Sequence, residues 1–184
     1  MTGNSVPSKV DVALFSKQGR EVRASMAIGD MPRLAGLLAD GSGTASLDLR
    51  FEQDVGRRPV VNGSISATVS VICQRCLEPM ALVLQPRVTV AMIRREDEAD
   101  TLPEEYDPLL CPDGEVVLGE FVQDELILAL PVIPRHENDV SCRPLTGDAP
   151  GGDGVAPEEV KDNPFAVLSA LKGRGGDQGS NQES

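Results

Sequence analysis

Aromatic side chains are almost missing: the 184 residues include no tryptophan, one tyrosine and four phenylalanines. Phe15, Phe51, Tyr106, Phe121 and Phe165 are scattered along the chain. No two of them pair into a platform on which single-stranded bases could stack, which argues against a conventional RNA-reading module. No apolar run reaches the ~20 residues that cross a bilayer. The longest, Leu126-Ile127-Leu128-Ala129-Leu130, follows Asp124 and Glu125 and stops at Pro131. The opening MTGNSVPSKVDVALF has no basic region, uninterrupted apolar stretch or small-residue cleavage site, so no export signal and a cytoplasmic location are expected. In that compartment the four cysteines are reduced thiols or metal ligands, not disulfides. Phosphate loop, dinucleotide fingerprint and nucleophile elbow are absent too. The acidic stretch from Glu96 to Asp107 lacks the alternating ligand spacing of a calcium loop. Nothing assembles an active site or marks a small-molecule substrate.

What is present is a lopsided charge. Residues 1–95 carry 12 Lys and Arg against 8 Asp and Glu, whereas residues 96–184 carry 5 against 21, for a total of −12. So acidic a chain is a poor nonspecific binder of polyanions, because phosphate neutralisation drives that affinity. Its mildly basic first half still offers a face to RNA or to an acidic partner.

The periodicities predict an α+β fold: an antiparallel β-sheet with a few packed helices, an acidic flexible linker and a short C-terminal helix. Val10, Val12 and Leu14 read as one face of a strand, and Val22, Ala24, Met26 and Ile28 as another. Asp30 is placed to cap a short helix with Pro32 in its first turn and Leu34, Leu37 and Leu38 on one stripe. Three stretches alternate firmly. Leu47, Leu49 and Phe51 form the first, and Ile65, Ala67, Val69, Val71 and Cys73 the second. Leu82, Leu84, Val88, Val90 and Met92 share the parity of the third, with Pro86 marking an edge or bulge. Short connections and one apolar face argue for antiparallel pairing. Residues 94–114, charged and proline-bearing, read as a surface loop that includes Cys111. Val122, Leu126, Ala129 and Leu130 then make the apolar stripe of a helix, with Glu120, Gln123 and Asp124 opposite. Residues 1–143 thus form a single domain. Residues 144–162 are a Gly, Pro and acid linker. Residues 163–173 form a docking helix anchored by Phe165 and Leu168, and 174–184 a disordered tail.

The strongest local motif is Cys73-Gln74-Arg75-Cys76, at the end of the second firm strand. Two thiols three positions apart in a turn can hold one tetrahedral ion, because the loop folds both sulfurs to one side. A structural zinc site takes four ligands, and His136 and Cys142, just past the helix, are the candidates for the other two. The plainer alternative makes Cys73 a buried small hydrophobe on its strand's inward parity. A thioredoxin-like role fits less well. Those pairs sit at a helix N-terminus, whereas here another strand follows and Arg75 is the only local cation. His136 as the base of a nucleophilic cysteine has no third group at a recognisable spacing. Arg75, Phe165 and Leu168 are the candidate partner contacts.

Together, CQRC after an alternating strand, LPEEYDPL, GEFVQDELILALPVIPRH followed by Cys142, and the late NPFAVLSALK resemble the YceD family of bacteria and chloroplasts. The resemblance runs in order over about residues 60–172, and its specificity lies in the combination. It implies a role in accumulation of large-subunit ribosomal RNA, through its synthesis, processing or stability, with no enzymatic activity ascribed to the family. Some relatives carry further cysteines after the helix, in a zinc-ribbon-like cluster with the CxxC. This sequence offers His136 and Cys142 there. The expected partners are a ribosomal protein, an assembly factor or nascent rRNA, and the acidic half could shield a basic ribosomal protein by opposite charge. The competing class is an enzyme, either a thiol–disulfide oxidoreductase using Cys73 and Cys76 or an RNA-processing nuclease.

Overall fold

The computed structural model describes residues 7–137 and Cys142. The chain divides into two units, Met1–Leu145 and Thr146–Ser184. The linker, docking helix and tail expected at 144–184, with Phe165 and Leu168, lie outside the described residues.

Strand β1 (Lys9–Asp11) leads directly into helix α1 (Val12–Gln18), where alternation had predicted one continuous strand. The caps explain the difference. The Asp11 side chain accepts from the Leu14 amide at 2.8 Å, satisfying a first-turn donor. At the other end Gly19 takes the left-handed conformation (φ 62°), and Gly19 and Arg20 donate to the carbonyls of Ser16 and Phe15. Val12 is buried while Leu14 is 47% exposed, as a helix and not a strand requires.

Strand β2 (Glu21–Ala27) follows, then a single 3-10 turn and helix α2 (Pro32–Ala35). Asp30 does not cap that helix; it lies in the 3-10 turn, and the capping position falls to Met31, whose side chain bonds nothing there. The cap comes from a distant residue. Gln123 Oε1 accepts from the amides of Arg33 (2.8 Å) and Leu34 (3.3 Å). Gln123 is therefore buried, contrary to its expected place on the solvent face of its helix. Helix α2 ends at Ala35, so Leu37 misses the predicted stripe and stands 57% exposed.

The main sheet is built around β3 (Thr44–Gln53) and β4 (Pro59–Ile72), paired antiparallel with Leu47 opposite Ile65 and Phe51 opposite Val61. Strands β5 (Pro79–Leu84) and β6 (Arg87–Ile93) pair with successive stretches of β4. They are one strand interrupted near Pro86, whose carbonyl still accepts from Ile65 N at 3.1 Å. Proline has no N–H to give the ladder, so the break falls where its sequence position predicts. Gly63 sits where three strands crowd: a Cβ there would lie 2.1 Å from the Asp48 carbonyl oxygen.

The segment 94–114 is more ordered than a charged loop. It contains a 3-10 turn (Glu96–Thr101) and strand β7 (Asp107–Leu110), which pairs with β6 in parallel and is the exception to an otherwise antiparallel sheet. Cys111, just past β7, is 2% exposed and its amide donates to Ile93 O. Backbone pairing outweighs the local charge there. Strand β8 (Glu115–Val117) pairs with β1, and helix α3 (Leu118–Leu128) follows. The order across the six-stranded sheet is β2-β3-β4-β6-β7, with β5 also on β4. Leu49, Phe51, Val69, Val71, Leu84, Val90 and Leu126 are all buried in one apolar core, with Leu130 partly buried against it. No described helix is long and apolar enough to cross a membrane.

Candidate metal centre

The centre lies at the tip of the long β4–β5 hairpin. Ile72 and Pro79 are the last paired residues, and the turn between them contains both cysteines of the CxxC. Its backbone closes on itself. Cys73 N donates to Glu78 O and Leu77 N to Cys73 O, both at 2.9 Å. Leu77 adopts φ 60°, a left-handed conformation that a leucine takes only at a cost of about 1 kcal/mol or more. The inward parity that buries Val69 and Val71 continues to Cys73, which is 0% exposed, while Cys76 on the turn is half-buried.

The second half of the centre arrives from the other end of the domain. After α3 the chain runs through Pro131, Val132, Ile133 and Pro134 along the hairpin, and Gln74 N donates to Pro134 O at 2.8 Å. That bond sets His136 beside Cys76, with Sγ to Nδ1 at 3.6 Å. Cys142 Sγ comes to 3.7 Å from Cys73 Sγ. One donor atom from each of Cys73, Cys76, His136 and Cys142 lies within 4.8 Å of all the others.

These separations fit a metal. An ion bound at ~2.3 Å by sulfur and ~2.0 Å by nitrogen in a tetrahedron spaces its ligands at about 3.8 Å between sulfurs and about 3.5 Å between sulfur and nitrogen. The electrostatics point the same way. Burial alone would raise the Cys73 thiol, but backbone amides of Cys76, His136 and Arg75 aimed at its sulfur outweigh it, with help from the Cys76 thiol. Its pKa falls to about 5, so it is a ready thiolate, the form that ligates metals. Cys142 moves oppositely, to about 11, first through burial and then through hydrogen bonds and charge from Cys76 and Cys73. The cluster disfavours several bare thiolates at once, and a divalent cation is what would relieve that repulsion.

The four candidates from the sequence are thus brought together, and Cys111 stands apart, its thiol raised by burial. Arg75 is exposed on the turn, and its amide donates to Cys73 Sγ at 3.4 Å. The pair sits in a hairpin turn, not at the helix N-terminus that a thioredoxin-like site uses. Sequence reasoning missed Gln123, Leu77 and the crossing of 131–134. For the last a signal existed: PVIP is apolar and uncharged, which suits a segment lying along the domain better than a linker.

An α+β sheet protein whose concentrated chemistry is a three-cysteine, one-histidine cluster at a hairpin tip defines the class. The chain belongs to the YceD family. The family model described as large ribosomal RNA subunit accumulation protein YceD matches residues 61–172, which include all four cluster residues. The chain is similar to the large ribosomal RNA subunit accumulation protein YceD of Haemophilus influenzae, 35% identical over 170 residues, covering 91% of this chain and 96% of the relative. No solved structure matches.

Proposed function

We propose that the protein supports accumulation of large-subunit (23S) ribosomal RNA in the cytoplasm, acting by binding and not by catalysis, with its hairpin tip stapled by one zinc ion. The observation that carries the role is family membership over residues 61–172, together with a relative named for that accumulation that aligns over nearly its whole length.

The mode of action is read from the cluster. A catalytic zinc keeps one position open for water or substrate, whereas Cys73, Cys76, His136 and Cys142 would fill all four corners. Three thiolates and an imidazole are soft donors, suited to zinc and not to magnesium or calcium. Bound there, the ion would tie the turn at 73–78 to the chain after α3, which among the described residues meets that turn through the Gln74–Pro134 backbone hydrogen bond. A ribosomal protein, an assembly factor or nascent rRNA is the partner class, met through exposed Arg75 and, on sequence grounds, through Phe165 and Leu168.

The test has two arms. Cells lacking the protein should accumulate less 23S rRNA, and full-length protein should restore it. Tagged protein pulled down from growing cells, with and without ribonuclease, separates protein partners from RNA-bridged ones. For the metal, protein purified without chelator should carry close to one zinc per chain. Cys73→Ser/Cys76→Ser should lose the zinc and the ordered tip together, whereas a thiol oxidoreductase would lose activity while keeping its thermal stability. Less than about a tenth of an equivalent of zinc would sink the staple, since structural sites bind tightly.

A further inference from the structure

The three sulfurs of the metal centre are close enough to react with one another. Their atoms and the His136 donor all lie within 4.8 Å of each other, and a disulfide needs two of them to close to ~2 Å. They differ in access. Cys73 and Cys142 are 0% and 4% exposed, whereas Cys76, on the turn, is the one cysteine of the four that is not buried. Concavities of about 400 Å³ flank the centre on two sides. One is an apolar groove whose lining includes Leu37, Ile72, Gln74, Val132 and Pro134. The lining of the second includes Met80, Leu82, Val83, Arg135, His136 and Glu137. A small oxidant has an open approach to the tip, in contrast to Cys111, which is buried in the apolar core.

The partner of Cys76 follows from what holds each thiol. Cys73 lies in the same turn, which two backbone bonds close: Cys73 N to Glu78 O and Leu77 N to Cys73 O, both 2.9 Å. These bonds keep Cys73 and Cys76 together whether or not the chain after α3 is docked. The first and last Cα of a four-residue turn lie within ~7 Å, a span that a disulfide bridges. Cys142 comes from a segment that, among the described residues, meets the turn through the bond from Gln74 N to Pro134 O.

We infer that the CxxC is a redox switch on the metal centre: a hydroperoxide joins Cys73 to Cys76 and so unties the chain after α3 from the hairpin tip. The inference rests on the metal centre proposed above and names its regulation. With hydrogen peroxide the chemistry balances in two steps. The Cys76 sulfur attacks one peroxide oxygen, the O–O bond breaks, and a sulfenic acid and one water result. The Cys73 sulfur then attacks the Cys76 sulfur and the hydroxyl leaves as a second water. Overall two thiols and one hydrogen peroxide give one disulfide and two waters. Cys142 and His136 are then the donors left, two where a structural ion takes four. The turn keeps its own backbone bonds and loses its hold on those two residues. Arg75, a proposed partner contact, sits inside the ring that the new bond closes.

The test uses full-length protein purified without chelator and treated with excess hydrogen peroxide. Zinc in the untreated protein reads the metal centre by itself, and the switch is read from what peroxide changes. Treatment should release about one zinc per chain to a chromophoric indicator and consume two of the four thiols. Non-reduced peptide maps should show a Cys73–Cys76 disulfide. Hydrogen exchange at 134–137 should quicken at least tenfold while β3 keeps its protection. Dithiothreitol with added zinc should restore both metal and protection. Cys111→Ser should alter none of these results, and Cys142→Ser should still form the Cys73–Cys76 bond. Zinc retained with all four thiols free would overturn the switch and leave the staple standing. So would a mapped Cys76–Cys142 bond, which fastens the two segments together where the switch releases them, or a disulfide between chains. Protein that carries no zinc before treatment would remove the metal centre, and this inference with it.

Discussion

Along β4 two regions meet that are held together differently. In its middle, Ile65 and Ala67 pair with β3 and Ala67, Val69 and Val71 with β5, and all four are buried, each contributing a share to one continuous core. Two residues past Val71 the chain enters a turn that projects Leu77 to solvent at 56% exposure, with a left-handed backbone and, among the described residues, one long-range backbone bond, Gln74 to Pro134. The core distributes its stability over many apolar contacts, so the loss of one is partial. The tip gathers four donor atoms, so an ion bound there would concentrate its order in them, and the loss of one should release the rest. A distributed core and a cluster of donor atoms can sit two residues apart along one hairpin.

The largest expected effect tests the sheet. Gly63→Ala drives a Cβ into the Asp48 carbonyl, 2.1 Å away, and β3 must move. It should destabilise the whole domain by about 3 kcal/mol or more in denaturant unfolding, with tip and sheet melting together. Next comes the tip. Cys73→Ser should lower zinc affinity by at least ~100-fold. Hydrogen exchange should then quicken at 74–78 and 134–137 while β3 and the middle of β4 keep their protection. Loss of protection across the sheet would abolish the contrast between the regions.

A third variant probes a connection that neither region contains. Gln123→Ala leaves the Arg33 and Leu34 amides without their acceptor, at a cost of about 1–2 kcal/mol, where solvent-facing placement of Gln123 would predict almost none. Val71→Ala, the last core residue before the tip, should cost about 1–2 kcal/mol by cavity formation and leave zinc content unchanged. The smallest effect is Leu77→Gly, which relieves the left-handed strain and should stabilise by about 0.5 kcal/mol in thermal unfolding. A loss of stability there would mean the exposed leucine packs on something.

Period-two alternation made β3, β4 and the β5–β6 strand legible, because a half-buried sheet imposes inward and outward parity on the sequence. The CxxC was legible as a ligand pair, and His136 and Cys142 as its candidate complement, because chemistry names those residue types. The errors came where local patterns had to compete with something stronger. Val10, Val12 and Leu14 alternate, yet Asp11 and Gly19 cap a helix across them. Asp30 looks like a cap, yet a glutamine some ninety positions away supplies it. The charged stretch around Asp107 looks like a loop, yet the free edge of β6 takes it as a parallel strand.

The sequence alone determined the class of fold, the inward parity of the middle strands, the identity of the four metal-capable side chains and the division of charge along the chain. All of these depend on a residue's own chemistry or on neighbours a few positions away. Only the tertiary structure decided that β4 and the chain after α3 meet at the hairpin tip, where sulfurs 69 positions apart come to 3.7 Å. It alone decided that Gln123 faces inward and that Leu37 and Val132 border one groove. Those outcomes depend on how sheet and helices pack against one another, and no window of sequence contains both halves of such a contact.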